Sequence, residues 1–293
     1  SLHVGLSLTD GRVLVVGGTD ADENTLMSAS IYDEGTHTWT MTGSMTTARE
    51  GFTATALADG RVLAVGGNAF SPTAQTDLYD GQNRWASAGA MSQRRAGHTA
   101  TLLDDGRILV AGGASPSSLA AAELFDGMAG TWTAAAAMPN VHVNQAATKL
   151  LDGRVLVCGG SGGDGNASAK VDIYDPMSNT WSEAAPMGTA RFRHTATRLN
   201  DGRILVVGGL NDATAEIYDP QTNAWSAAGR LAGGRYNHTA TLLTDGRVLV
   251  VGGWNATEFK LSRVEMFDPN GAWALAAALP NSLEEHSATI LPS

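Results

Sequence analysis

The chain has 293 residues, 43% of them hydrophobic, 16% charged and 6% aromatic, with 35 Gly, 9 Pro and a single Cys. One cysteine, Cys158, excludes an intramolecular disulfide and a Cys-rich zinc site and leaves the redox compartment open. A net charge of −10 with few lysines lacks the basic footprint of a nucleic-acid binder, and apolar runs such as Val13–Val16 are strand-sized, far short of a membrane span.

These bounds predict a soluble chain with apolar material for one large domain or two ordinary ones, and with neither nucleic acid nor membrane as a partner. The opening at Ser1, with no Met, basic leader or apolar segment, reads as an excised domain or a mature product.

Taken in chain order, the same four signals recur six times. Asp-Gly-Arg tripeptides start at Asp10, Asp59, Asp105, Asp152, Asp201 and Asp245. A glycine pair always follows, as Gly17-Gly18, Gly66-Gly67, Gly112-Gly113, Gly159-Gly160, Gly208-Gly209 and Gly252-Gly253. An aromatic-Asp pair comes next, at Tyr32, Tyr79, Phe125, Tyr174, Tyr218 and Phe267, and then a tryptophan, at Trp39, Trp85, Trp132, Trp181, Trp225 and Trp273. Trp254 alone lies outside the tryptophan series. The period is about 47 residues, and a repeat of this length marks a stacked or radial architecture.

Each copy reads as four strands. His238-Thr-Ala-Thr-Leu-Leu is a strand 1, joined through Asp245-Gly246, a dipeptide suited to a tight hairpin, to Arg247-Val-Leu-Val-Val as strand 2. The near-continuous apolar run of strand 2 predicts burial on both faces. Ala215-Glu216-Ile217-Tyr218 is a strand 3, and turns such as Asp219-Pro220-Gln221-Thr222-Asn223 lead into the Trp of strand 4. Four-stranded units of this length predict an all-β fold, a six-bladed β-propeller with the whole chain as one domain and one extra C-terminal strand. The extra strand arises because His3-Val-Gly-Leu-Ser-Leu and His286-Ser-Ala-Thr-Ile-Leu both read as strand 1. The two compete for one position in a six-bladed ring, or belong to a longer ring with a seventh blade.

The apolar residues before a Gly-Gly pair, followed by the spaced Tyr and Trp, resemble the kelch repeat family over nearly the whole chain. The resemblance implies antiparallel four-stranded blades, and it implies that the recurrent strand-1 histidine makes a hydrogen bond within the blade. It also admits enzymes among its relatives, but Cys158 replaces the Val or Ala before Gly-Gly and reads as a strand-2 core residue, and no nucleophile elbow or phosphate loop is present.

Positions that differ between copies are freed from the demands of the fold. From the second Gly of each pair to the residue two before the aromatic the spacing runs 12, 10, 10, 12, 7 and 12, so length varies in the strand 2–3 loop. The 2–3 and 4–1 loops share one face, which is therefore the expected ligand face. Four arginines, Arg49, Arg95, Arg191 and Arg235, recur three residues before strand 1, and acids recur two residues before the aromatic as Asp77, Glu123, Asp172, Glu216 and Glu265. Blade 4 has His142 in place of the arginine, and this covariation predicts a structural ion pair.

Arg94 and Arg193 fall outside that pattern and are the ligand candidates, with Phe192, Tyr236, Trp254 and Asn255 beside them in these loops. The expected function is a non-enzymatic module, with no cofactor and no metal, that binds a protein segment or glycan, possibly anionic, and acts as a monomer. Two alternatives stand beside it: an enzyme acting on a small acidic sugar at the mouth of the central channel, with Glu284, Glu285 and Arg193 as its suspects, and a repeat scaffold with no ligand.

Overall fold

The computed structural model describes residues 2–68 and 71–291. Every regular element among them is a β-strand, and the strands form six four-stranded antiparallel sheets, each in sequence order, plus one two-stranded hairpin. The fold class is all-β, a six-bladed β-propeller of four-stranded blades.

The chain divides into two compact units, one running to Ala137 and including the stretch from Ser287, the other covering Met138–His286. The first holds blade 1 (Val4–Ser7, Val13–Val16, Ala29–Asp33, Thr38–Met41), blade 2 (Thr53–Ala56, Val62–Val65, Gln75–Tyr79, Trp85–Ala90) and blade 3 (Ala96–Leu102, Ile108–Ala114, Ala122–Asp126, Thr131–Ala134). The second holds blade 4 (Ala146–Lys149, Val155–Cys158, Val171–Asp175, Thr180–Glu183), blade 5 (Thr195–Arg198, Ile204–Val207, Thr214–Asp219, Ala224–Arg230) and blade 6 (Thr239–Leu242, Val248–Val251, Val264–Phe267, Trp273–Leu275).

Strand 2 is apolar throughout, and in blades 2 and 5, which have a neighbour on each side within their unit, both of its faces are covered. In the second unit, Leu156, Cys158 and Ile173 of blade 4 pack against Ile204, Val206 and Tyr218 of blade 5. Leu14, Val16 and Ile31 of blade 1 meet Val62, Ala64 and Tyr79 of blade 2 in the same way in the first unit. Burying a Val, Leu or Ile contributes about 1.5–3 kcal/mol, so this alternation of faces is the main source of stability. The aromatic of strand 3 sits opposite the Trp of strand 4, as in the Tyr174 and Trp181 pair with ring centroids 5.0 Å apart.

The Asp-Gly-Arg turn differs from the two-residue hairpin expected of it. Leu243 pairs with Arg247 across three residues, and of Asp245 and Gly246 the glycine takes a positive φ, at 88°. A three-residue loop closing on a left-handed glycine needs no second positive dihedral. Asp245 then accepts the Arg247 N–H at 3.0 Å and its Nε at 2.8 Å, so the tripeptide clamps itself. This closure explains its recurrence in all six copies.

The glycine pair is the joint between successive blades. The second glycine donates its N–H to the residue three before the next strand 1, as Gly67 does to Arg95 O and Gly209 to Arg235 O. A Cβ on Gly66 would meet Arg95 O at 2.6 Å and the His98 ring at 2.7 Å, so no side chain fits.

The two segments read as rival first strands do not compete. Val4–Ser7 pairs with Val13–Val16 and takes the inner position of blade 1. Beside it, Ser287 Oγ lies 3.1 Å from His3 Nε2, and Ser7 Oγ lies 2.6 Å from Thr289 Oγ1 and donates to Ile290 O at 3.0 Å. Among the described residues, 286–291 belong to no strand ladder, because the pairing edge of Val13–Val16 is already filled.

Candidate ligand-binding site

The recurrent arginines are structural. Arg49, Arg95, Arg191 and Arg235 are fully buried, each within its own blade, and each donates to the first-glycine carbonyl 17 residues on and to the strand-3 acid. The acid partners are Asp77 at 2.6 Å, Glu123 at 2.8 Å, Glu216 at 2.7 Å and Glu265. His142 fills the same role in blade 4, with Nδ1 2.6 Å from Gly159 O and Nε2 3.1 Å from Asp172.

The strand-1 histidines bond between blades, which corrects the expectation of a bond within the blade. His98 Nε2 lies 2.9 Å from Thr53 Oγ1 of the preceding blade, and His238 Nε2 lies 3.0 Å from Thr195 Oγ1. Blade 4 has Ala146 where that hydroxyl would be, and His194 turns to the Cys158 sulfur at 3.5 Å instead. Burial, helped by the neighbouring arginine charge, holds His98, His194 and His238 down to about 3. Burial also pushes the Cys158 thiol up to about 12, against the opposing pull of the Arg191 charge. A thiol so placed is a core group and not a nucleophile. Among the described residues, no group of three or more His, Cys, Asp or Glu is arranged to hold a metal ion.

The residue directly before the recurrent strand-1 histidine position takes a left-handed conformation in blade after blade. Glycine occupies it in blades 2 and 3, at Gly51 and Gly97, whereas the second unit places Asn144, Arg193 and Asn237 there, with φ of 55°, 55° and 54°, and then Glu285 at 51°. Their backbones form a ladder: the Arg193 N–H donates to Asn144 O at 2.9 Å, Asn237 to Arg193 O at 3.2 Å, and Glu285 to Asn237 O at 3.1 Å. Asparagine tolerates this conformation, but arginine and glutamate pay about 1–2 kcal/mol each. Strain of this kind concentrates where side chains serve a ligand.

Arg193 is exposed, with its guanidinium carbon 5.9 Å from the centroid of the Tyr236 ring. Tyr236 in turn meets Trp254 at 5.1 Å, and Trp254 meets Phe259 edge-on at 6.0 Å. The blade-6 loop makes this stack possible by forming a small hairpin, Trp254–Asn255 against Phe259–Lys260, whose first strand also bridges to Tyr236. Stacking fixes the guanidinium without using its N–H donors, which leaves them directed at solvent for a carboxylate or other oxyanion.

Of the residues predicted from sequence, Arg193, Tyr236 and Trp254 come together, and Phe192 sits half-buried next to Arg193. Asn255 has a different job: it is buried, its Nδ2 donates to Gly234 O at 3.1 Å, and its Oδ1 accepts from the N–H groups of Thr257 and Glu258. It ties the hairpin turn, so its polar atoms are spent on the protein itself. Arg94 is exposed in the other unit. Sequence reasoning missed Phe259, which is 64% exposed, and the left-handed series. The second was visible as Asn, Arg and Asn standing where other copies have Gly.

The opposite side of the second unit also has a depression, of about 510 Å³, lined by Asp152, Arg154, Asp201 and Arg203 among others. Its arginines are clamped by the aspartates of their own turns. Charge there is already neutralised within each turn.

Blades of this construction, with invariant joints and divergent 2–3 and 4–1 loops, define a kelch-type propeller. The chain belongs to the kelch-repeat family: the model of the KLHDC2/KLHL20/DRC7 Kelch-repeats domain matches residues 81–253, and that of the Kelch motif matches residues 2–46 and 235–280. Among solved structures it is similar to the one titled "Structure of YjhT", at 14% identity and a TM-score of 0.73, over 94% of this chain and 97% of that one. No curated protein matches it.

Proposed function

We propose that this chain is a non-enzymatic binding module that takes a protein segment or glycan carrying an anionic group on its 2–3 and 4–1 loops. The observation that carries the reading is the stack Arg193, Tyr236, Trp254 and Phe259, a rigid cation beside exposed aromatic surface on an acidic protein. Aromatic faces suit sugar rings and flat side chains, and the guanidinium fork suits a carboxylate. Screening of acidic peptide and glycan arrays, followed by titration of a hit against Arg193→Glu and Trp254→Ala, tests it. Charge reversal of a buried contact is expected to weaken binding by roughly 1–3 kcal/mol. Affinity unchanged in both variants removes the stack from the site.

A second reading, turnover of a small acidic sugar, draws support from Glu285 standing on the same backbone ladder as Arg193. Conversion of a bound sugar by the native chain, lost in Glu285→Gln with binding retained, would favour it over the first.

A further inference from the structure

Two departures from the repeat stand on opposite sides of the second unit. The first projects. Among the described residues the blade-6 hairpin, Trp254–Asn255 against Phe259–Lys260, is the single two-stranded sheet. It is tied down from several directions: Trp254 and Tyr236 exchange N–H···O bonds at 2.8 and 3.1 Å, Leu261 donates to Gly253 O at 2.8 Å, and Ala256 donates to Asn211 Oδ1 at 3.2 Å. On this rigid support Phe259 takes a φ of 61°, a left-handed conformation that disfavours any side chain, and is 64% exposed. A ring lying flat on a protein surface has one face covered. Phe259 has more than half of its surface open, so it is a preorganised knob, shaped to enter a pocket and not to serve as a platform.

The second departure is a hollow. The residue before Asp-Gly-Arg lies against the turn glycine of the following blade, as Thr9 does against Gly60 and Asn200 against Gly246. Across the six copies it is Thr9, Ala58, Asp104, Leu151, Asn200 and Thr244, so blade 4 alone places a large apolar side chain there. A Cβ on Gly202 would lie 2.4 Å from Leu151 Cδ1, yet Leu151 is 68% exposed. With Leu150 and Pro220 it gives the depression of about 510 Å³ its apolar lining, a space wide enough for a phenyl ring. Arg154 and Arg203 beside it are paired to Asp152 and Asp201, and Asp219 is left as the lining carboxylate with no arginine partner among the described residues.

Knob and hollow match in shape and in charge. Lys260, the residue after the knob, is exposed and only 3.4 Å from its nearest carboxylate, Glu284, so a cation flanks the phenyl ring as a carboxylate flanks the hollow. Strand 2 of each blade runs from its Asp-Gly-Arg turn to its 2–3 loop, which puts knob and hollow at opposite ends of the strands of this unit. One copy therefore cannot fill its own hollow.

We infer that Phe259 of one copy of this chain docks in the Leu151 hollow of a second copy, with Lys260 beside Asp219. The contact is heterologous: each copy offers a knob at one end and a hollow at the other, so association runs on from copy to copy instead of closing as a pair. With a single aromatic anchor it is a weak, concentration-dependent contact, in contrast to the monomeric module expected from the sequence. The inference goes beyond the loop ligand and does not depend on it, since Arg193 and Tyr236 take no part.

Sedimentation velocity of the 293-residue chain tests it. Between about 1 and about 100 µM, the range in which a contact with one anchor becomes populated, the native chain is expected to grow into a series of oligomers. Phe259→Ser and Leu151→Ser are each expected to weaken association at least about tenfold. An equimolar mixture of the two variants restores it as far as a dimer and no farther, because the Leu151→Ser copy supplies the phenyl ring and the Phe259→Ser copy the hollow. A native chain that stays monomeric throughout overturns the inference. So does association that either variant leaves unchanged, or a mixture no more associated than its components. Both side chains are exposed, and melting curves that match the native one show that the variants fold. Should either melt lower, carbodiimide coupling in the native chain decides: a Lys260–Asp219 amide, out of reach within one copy, supports the contact, and coupling of Lys260 to Glu284 alone overturns it. Binding of an array hit by a chain that does not self-associate removes this inference and leaves the proposed function standing, and the reverse pattern removes the proposed function alone.

Discussion

Replacing Glu123 by alanine isolates the energetics of the repeat's buried ion pair. In the folded chain Arg95 is fully buried, its Nη2 is 2.8 Å from Glu123 Oε1, and Nη1 donates to Gly112 O at 2.8 Å and Ala121 O at 3.0 Å. The other carboxylate oxygen accepts the Ser92 N–H at 2.7 Å. Truncation therefore leaves a guanidinium with two neutral acceptors and no counter-charge, and strands one backbone donor. Breaking a buried pair from one side costs about 3–5 kcal/mol, and the lost backbone bond adds about 1 kcal/mol, against a total stability of about 5–15 kcal/mol. Equilibrium unfolding in urea measures the change. Glu123→Gln keeps the hydrogen bonds and should lose less, while the double replacement Arg95→Met with Glu123→Leu removes both charges and should recover most of the loss. A loss below about 1 kcal/mol for Glu123→Ala, or a double variant no better than the single one, would refute the claim that the pair is a desolvated structural unit.

Four further outcomes follow from the same geometry. Gly66→Ala places a Cβ at 2.6 Å from Arg95 O at a φ of +61°, and should cost at least about 1–3 kcal/mol, seen as a lower urea midpoint; a neutral result contradicts the joint. The buried histidines sit at about 3 when folded against about 6.5 when unfolded, so the unfolded chain binds more protons between those values and stability falls as pH drops through that window, by about 2–3 kcal/mol per imidazole at pH 4.5. The double variant His98→Gln, His238→Gln, borrowing the residue that blade 4 already carries at Gln145, should flatten the slope between pH 6.5 and 4.5, and an unchanged slope sinks the assignment. Arg193→Gly relieves a left-handed arginine and should raise stability by about 1 kcal/mol while abolishing binding of an anionic ligand; loss of stability would show that arginine is kept there for the fold. Asn255→Ala should unseat the hairpin and lower the Phe259 contribution to binding, read as matching affinity losses for Asn255→Ala and Phe259→Ala.

Much of this was legible in the residues because the chain aligns with itself. Six copies of Asp-Gly-Arg, Gly-Gly, aromatic-Asp and Trp specify local dihedrals, apolar alternation and blade length, all short-range demands that each copy states independently. The covariation of Arg49, Arg95, Arg191 and Arg235 with strand-3 acids even exposed a buried contact spanning 25 to 30 residues. What only the tertiary structure decided is where copies meet. That the histidine bonds to the blade before it, that Asn255 spends its amide on a turn, that Phe259 extends the Trp254 stack, and that His286 continues the joints of blade 6 are all set by through-space neighbours. Sequence spacing encodes the backbone path of one repeat, whereas a side chain's partner depends on how separate repeats are packed, and that is settled by burial of apolar faces whose pattern is the same in every copy.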